Sequence, residues 1–274
     1  MSRAGGVAIV LGTRPEAIKN WAIVDALRQT GNRYRILHTH QHALPRLHTE
    51  LFRDLGYAPH EVMETPYTLG RAIDWVRDVV LREGLDTVLV NGDTAAALAG
   101  AIAALYSDRR LVHVEAGLRS FDRHMYEERN RIVVDAMANL LLAYTEREAT
   151  QLRANREVRG RVAVVGNTTV DFIERFRERW TPPRTAPFLL ATMHRKEFTD
   201  CPGRMRTVFA GLRALAEETA VVLPMHPRTV DAMQRHGMHR EHLGGVEVVE
   251  PLGPFDALAH IAHAEFVLTD SGCV

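Results

Sequence analysis

The sequence predicts an α/β protein built on parallel sheets, in two Rossmann-like, doubly wound domains of which the second is cut short. Three observations carry that expectation. Short apolar runs alternate with helical patterns along most of the chain, the signature of strands with crossover helices. Two consecutive runs, Val88–Val90 and Leu111–Val114, each end in a turn that bears a carboxylate, Asp93 and Glu115. A proline-rich stretch, Thr181-Pro182-Pro183-Arg184-Thr185-Ala186-Pro187, interrupts the alternation, which then restarts.

Taken in order, Val7–Leu11 reads as a first buried strand, and Gly12-Thr13-Arg14-Pro15-Glu16 as a tight turn into a helix that runs to about Thr30. Tyr34–Thr39 reads as a strand, Leu44–Leu55 as a helix and Glu61–Met63 as a short strand. Leu69–Arg82 is a helix closed by Gly84, Thr87–Asn91 a strand, and Thr94–Tyr106 an Ala-rich helix. Strand Leu111–Val114, helix Glu127–Leu140, strand Leu141–Ala143, helix Glu146–Asn155 and strand Val162–Val165 follow, closed by Gly166-Asn167-Thr168. Residues 1–180 form the first expected domain, 181–187 a linker and 188–274 the second. Within the second, Phe188–Thr192, Val221–Pro224, Val246–Val249 and Phe266–Leu268 read as strands, with helices over Met205–Glu218, Val230–His236 and Leu258–Ala264. That is half of a doubly wound domain. The expectation is a fragment with Phe266 and Leu268 on a poorly covered sheet and little activity on its own.

Composition narrows the partners. The 274 residues suit one large domain or two small ones, and 46% hydrophobic content is ordinary for a globular core. With 34 basic against 34 acidic residues, no nucleic-acid or anionic-membrane partner is implied. The 14 histidines are scattered, without metal-ligand spacing on a helical pattern, so no metal is expected. Cys201 and Cys273 lie far apart, which fits a reducing cytoplasm. The N-terminus lacks a signal-peptide pattern, and no apolar run approaches the ~20 residues of a membrane span.

The chemistry-bearing residues fall at strand ends. In an open α/β sheet, ligands bind outside the carboxyl ends of the strands. Asp93 and Glu115 belong there, and Glu127-Glu128 opens the next helix. Either carboxylate alone suits helix capping, but clustered carboxylates shift one another and suit proton transfer. The pattern leaves open which of Glu127 and Glu128 faces the site. Arg14 and Lys19 flank the first helix N-terminus, either as a diphosphate grip or as surface cations. The absence of GxGxxG argues against a nicotinamide-dependent dehydrogenase. His194 and His226 close two strands of the second domain, each with an arginine behind it, and read as anion or sugar contacts or as structural histidines. Asp270-Ser271-Gly272 follows the last strand, where backbone N–H groups can approach a phosphate.

Together these motifs resemble the non-hydrolysing UDP-N-acetylglucosamine 2-epimerase family. The matching residues are Gly12-Thr13-Arg14-Pro15-Glu16 with Lys19, Gln41-His42, Gly92-Asp93-Thr94, and His113-Val114-Glu115-Ala116-Gly117-Leu118-Arg119. Further on come Glu127-Glu128 and Asn130-Arg131, Gly166-Asn167-Thr168, His194-Arg195, Pro224 with His226, and Thr269-Asp270-Ser271-Gly272. The resemblance implies a GT-B-like fold, a UDP-sugar substrate in the cleft, no cofactor, no metal and a homodimer. It implies Asp93, Glu115, Glu127 and His194 as catalytic residues. It implies Arg14, Lys19, Arg131, His226, Ser271 and Gly272 as substrate-binding residues. Asn91 and Tyr126 depart from it, standing where a histidine and a proline are common. The implied reaction inverts C2 by expelling UDP from C1 as the C2 proton leaves, followed by re-addition. Other readings are a GT-B glycosyltransferase, a hydrolysing epimerase and an inactive nucleotide-sugar-binding chain.

Overall fold

The computed structural model describes residues 5–40, 51–64 and 66–271. The chain divides into two compact units, Met1–Arg175 and Phe176–Val274. Among the described residues of the first, β1 (Val7–Leu11), β2 (Tyr34–His38), β3 (Glu61–Val62), β4 (Thr87–Asn91), β5 (Arg110–Val114), β6 (Leu140–Ala143) and β7 (Arg161–Val164) form one parallel sheet. Its order is β3-β2-β1-β4-β5-β6-β7. The chain therefore steps outward from β1 to β3 and then returns to the other side of β1. That reversal makes the β1/β4 edge a topological switch point, where such sheets open a crevice. The central strand β1 is apolar along its whole length because helices cover both faces, and Ala8–Leu11 are fully buried.

The helices of this unit are α1 (Arg14–Lys19), α2 (Trp21–Gln29), α3 (Leu69–Arg82), α4 (Ala95–Leu105), α5 (Tyr126–Met137), α6 (Glu146–Ala154) and α7 (Thr168–Phe176). The expected first helix is split at Asn20, whose buried side chain turns inward to accept from Asn91 Nδ2 at 3.2 Å. The alanines of α4 let that helix lie directly on the sheet. A Cβ built on Gly100 would stand 2.7 Å from Val90 Cγ1. The helix α7 was not expected. It starts where Asn167 Oδ1 accepts from the Thr169 N–H at 2.9 Å, and it buries Phe172 edge-on against Trp21. Most of the expected helix over Leu44–Leu55, and Gln41-His42, lie outside the described residues; residues 51–55 are helical.

One buried carboxylate ties β5, the turn after it and α5 together. Asp135 is fully buried on α5. Its Oδ1 lies 2.7 Å from His113 Nδ1, and its Oδ2 accepts from Arg119 Nη2 at 2.6 Å and from the Gly117 N–H at 3.3 Å. His113 Nε2 lies 2.9 Å from the Gly92 carbonyl, which binds the β4 turn into the same network. Gly117 has φ +83, and a Cβ there would meet the Glu148 carbonyl at 2.9 Å, so glycine is required on both counts.

In the second unit, β8 (Phe188–Thr192), β9 (Ala220–Pro224), β10 (Glu247–Val249) and β11 (Phe266–Thr269) form a parallel sheet of order β10-β9-β8-β11 among the described residues. The short helix α8 (Lys196–Thr199) precedes α9 (Pro202–Leu215), α10 (Pro227–Arg235) and α11 (Pro254–His263). Met205, Phe209 and Leu212 of α9 pack one face, and Ile261 of α11 packs toward Phe188 and Val222 on the other. On the edge strand β11, Phe266 and Leu268 remain 62% and 39% exposed, the apolar pair expected there. No helix among the described residues is long and apolar enough to cross a membrane. Cys201 is exposed and Cys273 lies outside the described residues.

Replacing Asp135 by Ala leaves His113 and Arg119 facing a buried void. The expected cost is about 3–5 kcal/mol, the range for removing one partner of a buried ion pair. Urea unfolding with an unchanged midpoint would contradict it.

Candidate active site

Neighbouring strand ends assemble the site of the first unit. The register pairs Asn91 with Val114 and Val114 with Leu142, so β4 and β5 stop at one level and β6 one residue beyond it. Asp93, Glu115 and Tyr144 each lie within two residues of those ends. Gly92 turns with φ +74, a conformation that favours glycine, and a Cβ there would stand 3.6 Å from Glu115 Oε2, in ordinary contact. Glu115 itself has φ +66, a left-handed conformation that costs a non-glycine residue on the order of 1–2 kcal/mol. It is held there by bonds on both sides: the Gly92 N–H donates to Val114 O at 3.0 Å and the Ala116 N–H to Leu142 O at 3.1 Å.

The carboxylates have different partners. Glu115 is almost fully buried, and its Oε2 accepts from Lys19 Nζ at 2.5 Å and from the Tyr144 hydroxyl at 2.9 Å. Asp93 pairs with Arg131. Burial pushes the Asp93 carboxyl up from its ordinary value; the Arg131 and Lys19 charges oppose that, and the Glu115 and Glu127 charges add to it. Asn130 Nδ2 donates to the Asp93 carbonyl at 2.8 Å. Of the two adjacent glutamates, Glu128 is buried, accepting from the Ser120 N–H and hydroxyl at 2.8 and 3.1 Å. Glu127 is exposed, and its charge reaches Asp93.

The first turn has a different occupant from the anion expected there. Glu16 is buried beneath it, and its Oε2 accepts from the Gly12 and Thr13 N–H groups, both at 2.9 Å. Its Oε1 accepts from Thr94 Oγ1 at 2.7 Å. Burial raises the Glu16 carboxyl against these donors. Lys19 is committed to Glu115, whereas Arg14 is half-buried with no hydrogen bond or ion pair among the described residues.

The second unit repeats the plan at its own switch point, between β8 and β11. Asp270 Oδ2 accepts from the His194 and Arg195 N–H groups at 2.8 and 2.7 Å, which ties the two strand ends. The His194 ring stacks on that of His226, centroids 4.9 Å apart and planes 25° from parallel. His226 Nδ1 accepts from the Arg228 N–H and opens α10. The Ser271 N–H donates to Thr269 Oγ1 at 2.9 Å, and Gly272 lies outside the described residues. No cluster of three or more His, Cys, Asp or Glu side chains among the described residues has the arrangement of a metal site.

Sequence reasoning missed Tyr144, Glu16 and Asp135 as members of the site and its support. Tyr144 had a usable signal, since it follows the next strand end of the same sheet. Asp135 offered a weaker one, a carboxylate beside Val134 on the sheet-facing side of an amphipathic helix.

Comparison with known proteins agrees with this fold. A family model described as UDP-N-acetylglucosamine 2-epimerase matches residues 25–274. The UDP-N-acetylglucosamine 2-epimerase of Methanocaldococcus jannaschii is 32% identical, over 98% of this chain and 79% of its own length. The UDP-2,3-diacetamido-2,3-dideoxy-D-glucuronate 2-epimerase of Pseudomonas aeruginosa is 34% identical, over 98% and 78%. The crystal structure of the M. jannaschii enzyme with UDP-GlcNAc and UDP superposes with a TM-score of 0.82, covering 97% of this chain and 79% of that one. The S. aureus MnaA structure with UDP gives 0.81 at 31% identity, covering 98% and 75%. Two parallel sheets with carboxylates at the strand ends, a family match over nine-tenths of the sequence and these relatives lead to one conclusion: the chain belongs to the UDP-N-acetylglucosamine 2-epimerase family.

Proposed function

We propose that this protein interconverts UDP-N-acetylglucosamine and UDP-N-acetylmannosamine. The observation that carries the reading is the gathering of Asp93, Glu115 and Glu127, with Lys19 and Arg131 among them, at one sheet edge. Epimerisation at C2 needs a base for one face of the sugar, an acid for the other, and cations that hold the diphosphate. In the proposed course the C2 proton passes to a carboxylate, the C–H electron pair becomes a C1–C2 double bond, and the C1–O pair leaves with UDP. Reprotonation from the opposite face and return of UDP to C1 complete the inversion. Glu115, an acceptor for two donors, serves as the base. Asp93, with its carboxyl raised by burial, and Glu127 serve the opposite proton transfer.

Arg14 is the proposed diphosphate contact, with Lys19 and Arg131 supplying charge beside the carboxylates. His194 is the proposed catalytic contribution of the second unit, and His226, Ser271 and Gly272 its substrate contacts. A homodimer in the cytoplasm is part of the same proposal. The Pseudomonas relative favours a second reading, in which the sugar is a UDP-2,3-diacetamido-uronate and the C2 chemistry is unchanged. Both substrates incubated in deuterium oxide test the two readings. Deuterium gained at C2 identifies the epimerised sugar, and no exchange into either refutes the proposal.

Arg14→Ala removes a charge-assisted contact worth roughly 1.5–3 kcal/mol, so UDP affinity should fall about ten- to hundredfold. Calorimetry showing unchanged binding by a folded variant would refute the grip. Asp93→Asn should lower turnover at least about a hundredfold. Its effect on stability has a defined sign. The folded Asp93 carboxyl is raised above 3.8, so ionising it opposes folding. Relative to the variant, the wild type should be most stable below the unfolded value and lose ground as pH rises through the folded one. Urea midpoints of the two proteins that keep a constant separation over the acidic range would contradict this.

A further inference from the structure

Glu115 needs more than charge to act at one carbon atom. Its backbone already occupies a left-handed conformation, and its side chain is long enough to rotate about several bonds. Its two side-chain donors among the described residues, Lys19 Nζ and the Tyr144 hydroxyl, meet the same oxygen, Oε2. The two donors differ in what they can impose. An ammonium is a compact charge on a flexible stem with three rotatable donors, so it attracts a carboxylate without fixing its plane. A phenol hydroxyl sits on a rigid ring. Tyr144 is half-buried and follows β6 directly, and its neighbour Thr145 opens α6 with the hydroxyl accepting from the Arg147 N–H. The backbone that carries the ring is therefore anchored to the sheet that carries Glu115.

We propose that Tyr144 is a positioning residue for Glu115: its hydroxyl pins Oε2 and so leaves Oε1 as the oxygen that exchanges the C2 proton. This rests on the reading of Glu115 as the base. The arrangement extends the strand-end series by one member, since β4, β5 and β6 contribute Asp93, Glu115 and Tyr144 in spatial order. Lys19 supplies charge and Tyr144 direction. Loss of direction lowers the fraction of bound complexes in which the oxygen faces the proton, which acts on kcat and leaves substrate binding alone.

Tyr144→Phe deletes the hydroxyl and keeps the ring. The side-chain carboxyl carbon of Glu115 is followed by NMR in protein labelled with carbon-13 glutamate, and assigned by its loss in Glu115→Gln. At fixed neutral pH the resonance should move in Tyr144→Phe and stay in place in Tyr106→Phe, a change at a tyrosine that is 75% exposed. In the C2 exchange assay, Tyr144→Phe should lower kcat about tenfold with KM within about twofold, the size expected for one hydrogen bond to a charged group. A Glu115 resonance that does not move in Tyr144→Phe overturns the proposal. So does an unchanged kcat in that variant when Glu115→Gln is inactive. Continued C2 exchange by Glu115→Gln would instead remove the base reading, while the resonance still decides whether Tyr144 orients the carboxylate.

Discussion

The buried carboxylate of Asp135 is the constraint on which the rest of the first unit depends. Three residues of a single seven-residue stretch, His113, Gly117 and Arg119, converge on it. Between them stands Glu115, held in its left-handed turn. A buried charge is costly unless it is paired and hydrogen-bonded. Here the pairing is complete enough that the carboxylate acts as a pin through strand, turn and helix. Both His113 ring nitrogens face oxygen acceptors, one on Asp135 and one on the Gly92 carbonyl. The turn that carries Asp93 and the turn that carries Glu115 are thereby fixed to each other through the buried Asp135–His113 pair.

This explains which parts of the molecule were legible in the amino-acid sequence. The alternation of apolar runs with helical patterns predicted the strands to within a residue or two, because parallel strands covered on both faces read as continuous Val-Leu-Ile runs. Asp93 and Glu115 drew notice as a pair, because acids at two successive strand ends are harder to assign to helix capping than either one alone. The helix α7 was not, since its start depends on an Asn cap and its burial on Phe172 reaching Trp21 from far along the chain. The choice between Glu127 and Glu128 was also closed to sequence. Neighbours on a helix point about 100° apart, and only the docking of α5 shows that Glu128 is buried against Ser120 while Glu127 stays exposed.

The site in each unit is placed by the same topology. The orders β3-β2-β1-β4 and β10-β9-β8-β11 both fold the chain outward and then back across its first strand. In the first unit the reversal leaves carboxylates and cations at the edge; in the second it leaves paired histidines over a capping aspartate. A shared scaffold does not dictate chemistry, which resides in the particular side chains at the strand ends. Lys19 illustrates the point. A diphosphate grip or a surface position was expected of it, and the structure instead pairs it with the buried carboxylate of Glu115.

Glu16 carries a consequence of a different kind. By taking the amides of Gly12 and Thr13, it converts what would be a ready anion cradle into a closed joint. The backbone dipoles at that corner are thus engaged internally, and in the proposed function the diphosphate contact falls to the Arg14 guanidinium. Attraction through such a side chain is screened by dissolved salt over roughly 8–10 Å at physiological ionic strength. On that proposal nucleotide capture varies with the salt of the surrounding solution, while the buried Glu16 bonds beneath it are screened much less.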